Sequence, residues 1–225
     1  MIIPVQDKCI EDDCVLEQLM HIFVILEEQL KLPNFDPYRS FQLASGFQIS
    51  RKPSSIPGAG TGVFVTAGKV SKGQVVAIYP GSVYRPMDFI FFQSIGNSFI
   101  FRCKDRFHID GKDNGISKSI YKSCALREKL GTYEMCDMTW LTESPLCIMN
   151  IGQYVNNQTQ DFPANVQYQE VNLSKDFPFT FRRFIPNIFV NGNNWMPFLR
   201  TVVLVANRSI SAGEEVLSTY FTAVE

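Results

Sequence analysis

Between residues 13 and 31, apolar side chains recur at Leu16, Leu19, Met20, Phe23, Leu26 and Leu30. This three-and-four spacing lines one face of an α-helix. Asp12 or Asp13 can cap its start, and Pro33 blocks continuation beyond Leu32. A single apolar face of this kind needs something to pack on, so the helix is expected to dock on the rest of the chain rather than wait for a partner. From residue 33 to 57, proline, serine and polar residues dominate, which predicts an irregular linker. From Gly62 the period changes. Val63–Thr66 and Val75–Tyr79 read as strands about a turn at Val70–Gly73. Phe99–Arg102 and Phe107–Asp110 form a predicted hairpin, and Ser119–Leu130 a predicted helix. The asparagine-rich run from Asn187 to Pro197 predicts a surface loop. Thr201–Ala206 is a buried strand, and Ser211–Gly213 turns into another at Val216-Leu217. No βαβ alternation appears, so the pattern predicts a mainly β fold with short helices plus an N-terminal helix. The helix and linker form an N-terminal extension ahead of the β domain.

The 225 residues are enough for one well-buried domain with a helical extension. A hydrophobic share of 45% against 19% charged fits a globular chain and excludes disorder. Nineteen Phe against two Trp predict a Phe-rich core. The net charge of −1, with no basic block longer than Arg182-Arg183, predicts no direct nucleic-acid binding. Six cysteines without a Cys-x-x-Cys pair, and only two histidines, predict no metal site. Met1–Lys8 lacks the apolar core of a secretion signal, and no apolar run reaches the roughly 20 residues of a membrane span. Free thiols in an intracellular protein, nuclear or cytoplasmic, are therefore expected.

The glycines of Gly58-Ala59-Gly60-Thr61-Gly62 do not fit a dinucleotide fingerprint. That motif needs an apolar strand before it and a helix after it, whereas Ser54–Pro57 precedes and Val63-Phe64-Val65 follows. Glycines here serve either a tight turn or close approach of backbone to a ligand. Three further stretches follow in order: Tyr79-Pro80-Gly81, Gln153-Tyr154-Val155-Asn156-Asn157, and Gly213-Glu214-Glu215-Val216-Leu217-Ser218-Thr219-Tyr220.

Together with Gly60-Thr61-Gly62-Val63-Phe64, this ordered set resembles the SET-domain lysine methyltransferases over roughly residues 46–225. The resemblance implies several small twisted sheets, a C-terminal segment threaded under a preceding loop, and a variable insert at about 85–150. Phe107–Gly111 looks like the family's Ile-Asp-Gly hairpin in that insert. The family's cofactor is S-adenosylmethionine, and its substrate is a protein or peptide lysine. By the same resemblance, Gly60, Thr61, Gly62, Asn156, Asn157 and Tyr220 hold the donor, Tyr220 is also the catalytic tyrosine, and Tyr154 and Phe221 wall the lysine channel. Asn156 stands for the family's asparagine, an amide that can bind a zwitterion without adding net charge. Departures exist as well. Asn157 replaces a histidine, Thr219 an aspartate, and the family's Pro-Asn appears as Pro163-Ala164-Asn165 with one residue inserted. No cysteine-rich zinc segment follows Tyr220 in the sequence. These departures motivate a second reading, a SET-fold interaction module that has lost turnover.

Overall fold

The computed structural model describes residues 8–128, 133–192 and 197–219. In chain order the regular elements begin with helices α1 (Asp12–Leu30) and α2 (Pro37–Ser45) and strands β1 (Phe47–Pro53), β2 (Thr61–Val70), β3 (Val75–Tyr79) and β4 (Gly81–Tyr84). Then come α3 (Phe91–Ser94), β5 (Ile100–Arg102), β6 (His108–Asp110), α4 (Gly115–Arg127), β7 (Asn156–Asn157) and β8 (Val166–Ser174). The chain closes with β9 (Asn187–Phe189), β10 (Phe198–Ala206), β11 (Ile210–Ser211) and β12 (Glu215–Ser218). One sheet runs β1-β2-β12-β8-β10-β3, with β11 on β2 and β7 on β12; the second runs β5-β6-β4-β9. Strands dominate and the helices other than α1 are short, so the mainly β expectation holds. Most pairings are antiparallel. The parallel ones are β12 with β7 and β8, and β4 with β9.

Helix α1 docks through Val15, Leu19, Ile22, Phe23 and Leu26, a stripe rotated slightly from the predicted one. Phe23 stacks on Phe184 at 5.3 Å and meets Phe177 edge-on at 6.4 Å. Gln18 pins the helix to the β2–β3 turn, its amide donating to the Gly73 carbonyl at 2.9 Å while its oxygen accepts from Val75 N at 2.9 Å. Each buried apolar side chain is worth about 2 kcal/mol and each such polar pin about 1, so the apolar stripe dominates the docking. No helix among the described residues is long and apolar enough to cross a membrane.

Two expectations fail. The predicted linker at 33–57 instead holds α2 and β1. Asp36 caps α2, accepting from Tyr38 N at 2.9 Å and Arg39 N at 3.3 Å; Pro37 sits in the first turn and Gly46 ends the helix at φ +83°. Phe47 and Ile49 then bury alternate side chains of β1. The predicted loop from Asn187 instead opens as the buried strand β9. Asn187 is fully buried; its amide nitrogen donates to the Tyr79 carbonyl at 2.9 Å, which offsets part of the cost of burying an asparagine, while its side-chain oxygen is left without a hydrogen-bond partner among the described residues. The helix predicted from Ser119 begins earlier, at Gly115. Phenylalanine does fill much of the core, yet Phe89, Phe91 and Phe92 stand in solvent.

Candidate functional site

Strands β1 and β2 are antiparallel neighbours, pairing Pro53 with Thr61, Lys52 with Gly62 and Arg51 with Val63. The loop joining them closes through Ser54 N to the Gly60 carbonyl at 2.8 Å, with Gly58 at φ +79° and Gly60 at φ +72°. Only glycine adopts that backbone without strain. A side chain at Gly60 would meet nothing within 4 Å, so this turn is open on its outer side. Gly62 is different. A Cβ there would lie 2.1 Å from Glu215 Oε1 and 3.3 Å from Asn156 Nδ2. The missing side chain at Gly62 makes room for β12, not for a ligand.

Glu215 is therefore the joint of the region. It is buried, and its carboxylate accepts from Ser54 Oγ and Ser55 N, both at 2.7 Å, and from Asn156 Nδ2 at 3.3 Å. Asn156 Nδ2 also donates to the Thr61 carbonyl at 3.1 Å. Asn165 fixes the strand behind this joint: its Nδ2 donates to the Glu215 carbonyl at 2.7 Å and its Oδ1 accepts from Leu217 N at 2.9 Å. The inserted residue before Asn165 thus leaves a side chain still bound across β12. Gln158 N donates to the Ser218 carbonyl and Asn165 N to the Leu217 carbonyl, each at 2.8 Å, so the 158–165 loop grips β12 at both points. In β7, Asn156 pairs with Leu217 and Asn157 with Ser218.

A cleft of about 340 Å³ opens beside this joint, lined by Arg51, Lys52, Pro53, Gly60, Thr61 and Tyr154. Tyr154 donates from its hydroxyl to Asp113 Oδ2 at 2.5 Å, meets Phe99 edge-on at 5.9 Å and carries the Arg51 guanidinium 5.3 Å from its ring centre. Burial, reinforced by the Asp113 carboxylate, pushes its hydroxyl up to about 12, so Tyr154 is a neutral donor at physiological pH.

Of the predicted site residues, Gly60, Thr61 and Tyr154 line one cleft, and Gly62 and Asn156 meet at the Glu215 joint beside it. Asn157 lies next to that joint in β7. Tyr220 and Phe221 lie outside the described residues; β12 ends at Ser218. Sequence reasoning used Glu215 and Asn165 only as register markers and did not foresee that their side chains hold the region together. Arg51 was not singled out at all.

Two other features share none of the predicted residues. A larger groove of about 740 Å³ opens at the α1–α2 corner, lined among others by Leu32, Asp36, Arg39 and Leu43, but its carboxylate Asp36 is spent capping α2. Cys103, Asp105 and Glu170 bring their ligand atoms within 4.8 Å of one another. There the Arg200 guanidinium already pairs with Asp105 Oδ2 at 2.5 Å and with Glu170, and lies 5.0 Å from the Phe107 ring. Burial pushes the Cys103 thiol up to about 12, keeping it a poor metal ligand.

No family model matches the chain. A SET domain-containing protein 9 from Pongo abelii is 49% identical over 190 residues, covering 84% of this chain and 69% of that protein. One from Homo sapiens is 49% identical over 190 residues, covering 84% of this chain and 63% of that protein. Among solved structures, ctPRC2 in an autoinhibited conformation bound to S-adenosylmethionine aligns with 81% of this chain and 16% of that one, at 13% identity and a TM-score of 0.42. KRYPTONITE in complex with mCHH DNA, an H3(1–15) peptide and SAH aligns with 79% of this chain and 24% of that one, at 20% identity and a TM-score of 0.41. Half of all aligned positions shared over most of the chain defines its class: it is a SET-domain protein. Within that class it belongs to the family of SET domain-containing protein 9.

Proposed function

We propose that the cleft holds S-adenosylmethionine and that the protein transfers its methyl group to the ε-amine of a lysine on a protein or peptide. The observation that carries this reading is the meeting of three distant segments, the Gly60-Thr61 turn, Asn156 and β12, through the single carboxylate of Glu215. The residues present fit the donor. The turn at Gly60 is open on its outer side, Thr61 and Tyr154 face the cleft, and its volume falls within the roughly 300–1,000 Å³ of small-molecule sites.

Bound S-adenosylmethionine supplies a methyl carbon made electrophilic by a neighbouring sulfonium. The chain's task is to deliver a neutral amine to it in line. Free lysine has a pKa of about 10.4, so the amine must lose a proton. An apolar channel favours the neutral form by desolvation. In the proposal Tyr220 orients that amine through its phenolic oxygen, Phe221 and Tyr154 exclude water, and Asn156 and Asn157 keep the donor side in register with β12. Positioning the reacting atoms at about 3–3.5 Å supplies most of the acceleration.

The test is transfer of label from methyl-labelled S-adenosylmethionine to lysine-containing proteins of a cell lysate. Wild type is expected to label discrete bands, and Tyr220→Phe to lower the rate about 100-fold, the cost of a misplaced reacting group. Full activity in that variant would remove Tyr220 from the mechanism. Donor binding without transfer would favour the interaction module, and neither binding nor transfer would end the enzyme reading.

A further inference from the structure

We propose that Arg51, assisted by Lys52, anchors the carboxylate of the donor's amino-acid end and so decides which end of the donor enters the cleft. This inference rests on the donor reading above. The cleft is lined by two cationic side chains, Arg51 and Lys52, and by no carboxylate. Strand pairing sets both directly across from the glycine turn, Lys52 opposite Gly62 and Arg51 opposite Val63. Among the described residues neither cation takes part in a salt bridge.

Arg51 is held rather than loose. Its guanidinium lies over the Tyr154 ring, which the Asp113 bond and the edge of Phe99 fix in turn. The guanidinium also interacts with the Tyr154 hydroxyl, and its remaining N–H groups can grip a carboxylate with two parallel hydrogen bonds. Lys52 is steadied by Phe64, its Nζ 5.9 Å from the ring centre. A sulfonium donor carries one anion, the carboxylate, and two cations, the ammonium and the sulfonium. Paired cations at the rim attract the first and repel the other two. The donor is thereby given one favourable orientation, with its methyl-bearing sulfonium turned away from β1.

Titration calorimetry with S-adenosylmethionine and its decarboxylated analogue separates the outcomes, using wild type, Arg51→Ala, Arg51→Lys and Lys52→Ala. Wild type is expected to bind the complete donor well and the decarboxylated one about 10- to 100-fold more weakly, the range for one charge-assisted bidentate contact. Arg51→Ala is expected to lose that same factor for the complete donor and nothing for the decarboxylated one. Arg51→Lys keeps the charge without the fork and falls between, and Lys52→Ala loses only a few-fold. An equal loss for both ligands in Arg51→Ala, or no loss for either, overturns the anchor while leaving the donor reading intact. Failure of wild type to bind either ligand overturns both.

Discussion

Glu215 and Asp137 are both buried carboxylates, each held by three hydrogen bonds, yet they organise very different lengths of chain. Asp137 Oδ1 accepts from Thr139 N at 2.7 Å and Thr139 Oγ1 at 2.6 Å, and its Oδ2 accepts from Asn150 Nδ2 at 2.7 Å. Its partners lie 2 and 13 residues away, so it ties a local turn. Glu215 takes its bonds from residues 161, 160 and 59 positions distant and joins three edges of the candidate site. Burial pushes the Asp137 carboxyl up to about 6, because three donors do not replace the water it has lost. A local knot and a long-range joint can thus share one chemistry, and only the second converts lost hydrogen bonds into a lost site.

Glu215→Ala sharpens this contrast most. It strands the Ser54, Ser55 and Asn156 donors, at an expected cost of about 3 kcal/mol measured by urea unfolding, and should abolish donor binding. Gly62→Ala attacks the same joint sterically, since the new Cβ must displace the Glu215 carboxylate. About 2 kcal/mol and a large loss of donor affinity are expected from this overpacking. Asp137 is predicted to act through pH instead. Its folded-state pKa lies above the ordinary carboxylate value, so its contribution is fully present below about pH 4 and is lost as pH rises through about 6. Between pH 5 and 7.5, wild type should lose about 1 kcal/mol relative to Asp137→Asn in unfolding free energy, with donor affinity at fixed pH unchanged. Equal pH slopes for the two proteins would contradict the raised pKa. Smallest is Tyr154→Phe, which deletes the bond to Asp113 but keeps the ring under Arg51; about 1 kcal/mol or less in stability and a few-fold change in donor affinity are expected.

Strong periodicity was legible: α1 and strands β2, β3 and β10 follow from apolar spacing alone, whereas their partners do not, since β2 and β3 flank one turn yet pair with other strands. Helix α2 had its signals in plain view, an Asp36-Pro37 start and a Gly46 stop, but the proline and serine around them read as linker. Strand β9 had only the short apolar run Ile188-Phe189-Val190 to announce it among asparagines, and the Tyr79 carbonyl that takes the Asn187 amide lies 108 residues earlier. The same distance problem hid the role of Glu215. Its place in the Gly-Glu-Glu run was readable, whereas its partners near Ser54 exist only once β1, β2 and β12 are side by side. For the glycine turn, close ligand approach stands open at Gly60, while Gly62 is needed for internal packing. Arg51 escaped notice because a lone arginine in a strand carries no pattern until Tyr154 lies beneath it.

The central claim is that Asn156, the glycine turn and β12 form a methyl-donor site. Equilibrium binding of S-adenosylmethionine to wild type and to Asn156→Ala tests it most directly. One saturable site in wild type, weakened at least about 10-fold in the variant, is the predicted result for losing a half-buried amide that bridges Thr61 and Glu215. Equal affinity in the two proteins, or no binding by wild type, would contradict it.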